Sequence, residues 1–184
     1  TYPPKSEPRD QLYRNDLTLD TAGKTTVKFV NVTEQSDIHA FGYGMGATVG
    51  DFNNDGYQDL YVTNWGANQL FQNNQDGTFT DVTKRAAVES PEWGTSTAFV
   101  DVNNDGWLDL YVCNYVTFGY DTHRPCYHSS GAISYCGPQS EAPVSDRLFI
   151  NNQNGTFKDI SAQSGIARVS KPGLGVLCRD FNRD

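Results

Sequence analysis

Aspartate and asparagine recur at fixed spacing around a glycine in this chain. Asp51, Asn53, Asp55, Gly56 and Asp59 make one Asp-x-Asn-x-Asp-Gly-x-x-Asp run, and Asp101, Asn103, Asp105, Gly106 and Asp109 make a second. Asp180, Asn182 and Asp184 begin a third. Oxygen-bearing side chains closely spaced about a sharp glycine bend suit a hard cation that takes about six to eight oxygens, which points to Ca²⁺. The backbone carbonyls of Tyr57 and Trp107 supply one further oxygen in each complete loop. Mg²⁺ keeps its own waters and fits an irregular cage poorly. An EF-hand would need a glutamate at position 12 and flanking helices, whereas these loops place Val62 and Val112 there, inside strand-like runs. The expected role of the ion is therefore a staple between strands rather than a conformational switch.

Other reactive side chains are sparse. Cys126 and Cys136 lie in a stretch rich in Gly, Pro, Ser and His, where a local disulfide is the expected state. His123 and His128 share that stretch, so a zinc site of the His-x-x-Cys kind is the alternative. Cys113 and Cys178 sit in apolar runs and are expected to be free thiols. His39 is expected at a crossing between repeats as a satisfied polar residue. No nucleophile elbow, phosphate loop or dinucleotide fingerprint occurs, and no carboxylate pair has acid–base spacing. Sequons at Asn31 and Asn154 would allow glycosylation of a secreted chain.

The elements that must hold the loops repeat with them. Gln69-Leu-Phe-Gln-Asn-Asn-Gln-Asp-Gly-Thr-Phe-Thr-Asp-Val-Thr83 matches Arg147-Leu-Phe-Ile-Asn-Asn-Gln-Asn-Gly-Thr-Phe-Lys-Asp-Ile-Ser161 in spacing, with a looser copy over Gln11–Asn15 and Val27–Thr33. Each repeat reads as four strands: 46–52, 59–64, 69–73 and 78–83, then 95–102, 109–114, 147–151 and 156–161. Asp76-Gly77 and Asn154-Gly155 are expected to provide the positive-φ turn between the last two strands. Gly44, Gly46, Gly94, Ala47 and Ala98 fit a crowded innermost strand. Four-stranded units recurring after about fifty residues predict an all-β fold of β-propeller blades, present here as about two and a half. The expected division is 11–33 as the outer strands of a first or closing blade and 43–83 as one blade. Residues 94–161 form the next, carrying a 115–145 insertion, and 173–184 start another. The incomplete ring and broken third loop lead us to expect a segment of a longer protein.

A formal charge of −8 argues against a nucleic-acid partner, and no apolar run is long enough for a membrane span. The repeats resemble the FG-GAP/VCBS family, which includes the integrin α-subunit propeller. The run from Gly44 to Asn64, with Leu70-Phe-Gln-Asn-Asn and Asp76 to Thr83, is similar to the cartilage-acidic-protein group, whose full members often add an ASPIC/UnbV domain. Tyr135-Cys-Gly-Pro138 before Asp146-Arg-Leu-Phe149 is similar to bacterial members of that group. The resemblance implies a propeller on a secreted or surface protein. The expected function is a calcium-stabilised, non-catalytic module for adhesion, matrix assembly or ligand binding. Its partner would be a protein or carbohydrate at loops carrying Tyr43, Trp65, Trp93, Trp107, Tyr115, Phe118 and Tyr120. Alternatives are the scaffold of a polysaccharide-acting lyase or dehydratase, or a fibre subunit completed by neighbouring copies.

Overall fold

A computed structural model describes residues 8–119 and 124–179. The expected positions Tyr120, His123, Asp180, Asn182 and Asp184 lie outside the described residues. The chain opens with a hairpin of β1 (Tyr13–Leu19) and β2 (Thr25–Asn31). A first unit follows: β3 (Tyr43–Gly50), β4 (Asp59–Asn73), β5 (Phe79–Asp81) and the single-turn α1 (Thr83–Ala86). The second unit holds β6 (Gly94–Val100), β7 (Asp109–Asn114), β10 (Arg147–Asn151), β11 (Phe157–Asp159) and α2 (Ser161–Ser164). Between β7 and β10 the small pair β8 (Cys126–Tyr127) and β9 (Ile133–Ser134) occupies the insertion. All strand pairs are antiparallel, and the second unit is a four-stranded meander in the order β11-β10-β7-β6.

β4 is assigned as one strand, but it cannot be straight. Fifteen extended residues would separate its ends by about 46 Å, yet the Asn73 amide donates to Asp59 Oδ1 at 2.8 Å. The chain turns back at 64–68, where Gly66 takes φ 106° and the Asn64 amide donates to Asn68 Oδ1 at 2.8 Å. β4 therefore supplies both middle strands of a four-armed unit like the second. There the equivalent bond runs from the Asn114 amide to Asp146 Oδ1, also at 2.8 Å, so the insertion replaces a tight turn without disturbing its anchor.

The hairpin that closes each unit is built the same way three times. Leu12, Leu70 and Leu148 donate their amides to the hydroxyls of Thr33, Thr83 and Ser161, at 2.9, 2.8 and 3.0 Å. Those hydroxyls donate in turn to Asn31, Asp81 and Asp159, which also accept the following amides. This turn gives α1 and α2 their starts. In the tips between β4 and β5 and between β10 and β11, positive φ falls on Gln75 and Gly77, and on Gln153 and Gly155. The expectation placed it on Asp76 and Asn154 as well. Those side chains instead accept the amides of Thr78 and Thr156, while Gln75 and Gln153 donate theirs to the side chains of Asn73 and Asn151.

Packing occurs between units. Phe52, Tyr61, Leu70, Val82 and Val88 of the first unit share one core with Leu110, Val112, Phe149 and Phe157 of the second. A smaller core joins Leu12 and Ile38 to Val62, Phe71 and Phe79. The innermost strands approach so closely that a Cβ on Gly46 would stand 2.7 Å from the Thr95 carbonyl oxygen, a clash with rigid backbone. Residues 171–179 form no strand but lie against β6 and the end of β7. There the Gly173 amide donates to the Asn114 carbonyl at 2.9 Å and the Val176 amide to Ser96 Oγ at 3.3 Å.

Candidate metal centre

The two complete acidic loops leave the ends of β3 and β6 and return into β4 and β7. Gly56 and Gly106 take φ 89° and 85°, conformations that a side chain would strain. Asp51 accepts the amides of Asp55 and Gly56 at 3.0 and 2.8 Å, and Asp101 accepts those of Asp105 and Gly106 at 3.1 and 2.8 Å. Asn53 and Asn103 each donate to the carboxylate two residues on, at 3.0 Å. Asp55 and Asp105 accept the amides of Tyr57 and Trp107, both at 2.9 Å. The loops match bond for bond over fifty residues of separate sequence.

Asp59 and Asp109 differ from the rest because both are fully buried. Each carboxylate spans its unit: Asp59 accepts the amides of Phe52 and Asn73 at 3.2 and 2.8 Å, and Asp109 those of Val102 and Asn151 at 3.0 and 2.8 Å. Burial pushes the Asp59 carboxyl up to about 6 against the pull of those amides, and the nearby charges of Asp55 and Asp51 add to the rise. Asp109 is raised for the same reasons, with Asp105 and Asp101 as the neighbours. A buried carboxylate held next to further carboxylates gains from a cation.

The donor set fits a hard divalent ion: three carboxylates, one amide oxygen and the position-seven carbonyl per loop. The carboxylates here hold loop amides, and among the described residues no group of three or more His, Cys, Asp or Glu is gathered to hold a metal. Asp55 Oδ2 and Asp105 Oδ2 each accept two donors, but an oxygen that accepts a single amide keeps a second lone pair, so that bond does not forbid binding a cation.

Several supporting residues carry no sequence signature of their own. Asn54 donates from Nδ2 to the Gly106 carbonyl at 3.2 Å and so ties one loop to the other. Asn151 donates to the Phe52 and Leu108 carbonyls at 2.8 and 3.0 Å, bridging the units from a buried position. Gln75 and Gln153 reach Asp55 and Asp105 at 3.4 and 3.2 Å. Their common place in the repeated Asn-Asn-Gln triplet is the one signal that could have found them.

Tyr43, Trp65, Trp93, Tyr115 and Phe118 come together at the unit-to-unit crossings, with ring centroids 5.3–6.3 Å apart for each touching pair. Except for Tyr115 they line a cleft of about 540 Å³ together with Glu92 and Thr117. Trp107 stays in the second acidic loop, apart from that cluster. His39 pairs with Asp37 at 2.9 Å and stacks on Phe41, on the surface. Cys126 and Cys136 form a disulfide, which removes both thiolates from the zinc alternative and leaves His128 exposed beside it. Cys113 is a buried thiol and Cys178 an exposed one. Asn31 and Asn154 are both exposed, at a strand end and a hairpin tip.

Residues 51–112, from the first acidic loop through the second and into β7, match the family of FG-GAP-like repeats. No curated protein matches the chain.

Proposed function

We propose that the chain is a calcium-stabilised β-propeller module of a secreted or cell-surface protein, serving adhesion, matrix assembly or ligand binding without catalysis. The observation that carries this reading is the bond-for-bond identity of the two acidic loops, each ending on a buried aspartate whose carboxyl is raised by burial and, in smaller part, by its acidic neighbours. Asp51, Asn53, Asp55, the Tyr57 carbonyl and Asp59 would hold one ion. Asp101, Asn103, Asp105, the Trp107 carbonyl and Asp109 would hold the next. Bound calcium would relieve the repulsion among the carboxylates and fix β3 to β4 and β6 to β7 at one end of each unit. The described residues contain no helix long and apolar enough to cross a membrane, and the disulfide suits an oxidising compartment. The aromatic cleft at the unit crossings supports ligand binding at the loops, because rings with one apolar face and polar neighbours suit protein or sugar partners.

The test is thermal unfolding with excess calcium and with EGTA. Calcium is expected to raise Tm by several degrees, with a gain that grows with free calcium, as linkage requires. An identical transition under both conditions would overturn the structural-ion reading.

A further inference from the structure

The cleft at the unit crossing is walled by aromatic rings. Tyr43 and Trp65 come from the first unit, Trp93 immediately precedes β6, and Phe118 and Val144 stand at the two roots of the insertion. Trp65, Trp93 and Phe118 form a triangle, with centroids 6.3, 5.8 and 5.7 Å apart and planes inclined by 57–63°. Tyr43 adds a fourth ring 5.5 Å from Trp65. Rings inclined in this way meet as the walls of a corner, whereas a parallel stack would cover its own faces. A group seated in the corner can lie within about 6 Å of all three centroids at once. The four rings are half-buried, so each keeps some surface for a ligand.

The polar groups of the wall are few, and the charged one is already bonded. Glu92 accepts from Arg147 on both oxygens and from Ser90 Oγ at 2.8 Å. Arg147 also donates to Asp159 at 2.9 Å. One guanidinium set between two carboxylates leaves that network with net negative charge. No lysine, arginine or histidine lines the cleft among the described residues, and Thr117 is its one hydroxyl besides Tyr43. A sugar, with hydroxyls around its whole rim, would leave most of them unmatched here. An anion would meet a carboxylate. A cation finds the negative faces of the rings, a negative ion network beside them and a chain of net charge −8.

We propose that this cleft binds a small quaternary ammonium ion of the choline type, its methylated nitrogen seated against Trp65, Trp93 and Phe118 on the side of Glu92. A nitrogen with four carbon substituents has no N–H to satisfy, which suits a wall whose acceptors are taken. Its methyl groups fill the corner while its charge acts on the ring faces. The inference rests on the reading of the cleft as a ligand site and names the class of that ligand.

Calorimetric titration of the chain in excess calcium tests this, with choline, its neutral carbon isostere dimethylbutanol, glycine betaine and N-acetylglucosamine as probes. Choline is expected to bind roughly tenfold more tightly than dimethylbutanol, the difference being the charge alone. Glycine betaine carries a carboxylate into an acidic cleft and should bind more weakly than choline. Trp93→Leu should weaken choline binding roughly tenfold or more, and Trp93→Tyr should keep most of it. The Trp93 indole nitrogen is buried without a hydrogen-bond partner, so its removal strands no acceptor. Tyr13→Leu, in the first hairpin, should bind like wild type. The probe comparison uses the unaltered chain, so it decides the matter even if Trp93→Leu fails to fold. Equal affinity for choline and dimethylbutanol overturns the proposal, as does a folded Trp93→Leu that binds choline normally. Binding of N-acetylglucosamine in preference to choline, lost in Trp93→Leu, would keep the cleft as a ligand site and overturn its class. A chain whose Tm rises with calcium but which binds no probe keeps its structural ions and loses this inference.

Discussion

Asp51 and Asp59 belong to one loop and one residue type, but burial divides their work. Both oxygens of Asp59 serve amides inside the unit, at Phe52 and Asn73, with no solvent to replace them. Truncation strands the Phe52 and Asn73 amides, so Asp59→Ala should cost roughly 2–4 kcal/mol already in EGTA, with the calcium-dependent gain of its loop lost as well. Asp51 serves the Asp55 and Gly56 amides in a loop open to water. Asp51→Ala should therefore cost under about 1 kcal/mol in EGTA, yet abolish most of the calcium-dependent gain from that loop. Urea unfolding of both variants in EGTA and in calcium separates the roles, and equal losses in EGTA would refute the division. A second residue-scale expectation concerns pH. Burial alone would raise the Glu92 carboxyl, but hydrogen bonds from Arg147 and Ser90 hold it below the usual carboxylate range. A carboxyl lowered on folding stabilises above its unfolded value, near about 4.3, and loses that contribution as pH falls through the native value. Glu92→Gln should thus lower stability by roughly 1–2 kcal/mol at pH 7. The deficit should shrink as pH drops below the carboxylate range, and a deficit constant from neutral to strongly acidic pH would contradict the charge-based account.

Elements differ in how far local sequence determines them. The acidic loops and the tips of the Leu-Phe-x-Asn hairpins were legible because each is held by bonds within a few residues, at spacings the repeats print twice. Strand membership was legible too, although β1 extends to Leu19, beyond the Gln11–Asn15 segment that matches the repeat. What could not be read was set by distant neighbours. Glu92 meets Arg147, whose NH1 reaches Asp159 at 2.9 Å, and Asn151 meets the Phe52 carbonyl, because units stack. Nothing in a local window reports stacking geometry. The turn tips show a subtler limit, since the side chains of Asn73 and Asp76 decide which residue takes the left-handed conformation. The insertion lies between these cases. Val116 is buried and the Trp65 indole N–H donates to the Phe118 carbonyl at 3.2 Å, so its root belongs to the unit crossings. The Cys126–Cys136 segment lies outside both cores. Replacing both cysteines by serine should leave the main unfolding transition within a few degrees of wild type, while opening the loop locally. Limited proteolysis checks this: cleavage should quicken between 124 and 140, and a large global loss of Tm would show that the disulfide braces more than its own loop.

At the scale of the whole molecule, stability resides in interfaces between units more than within them. A unit is one sheet thick and cannot bury both of its faces alone, so the first core takes its largest side chains from both units. In such arrays the free energy is approximately a sum of unit terms and nearest-neighbour terms. Weakening one neighbour term should change the cooperativity of unfolding as well as its midpoint. Phe157 is the cleanest place to do this. It lies in a short terminal strand of the second unit and its ring meets Phe52 of the first. Phe157→Ala should cost roughly 3–5 kcal/mol by removing that contact and leaving a cavity. Hydrogen exchange by mass spectrometry reads the consequence. In the wild type, β4 and β7 amides should exchange through one shared opening, because the core holding Tyr61 and Leu110 unfolds as a whole. In the variant, β7 and β10 should exchange at lower denaturant than β4, which keeps the separate core formed by Ile38, Val62 and Phe71. Equal loss of protection in both units would mean that the fold behaves as a single block, and that the repeated interface does not partition its stability.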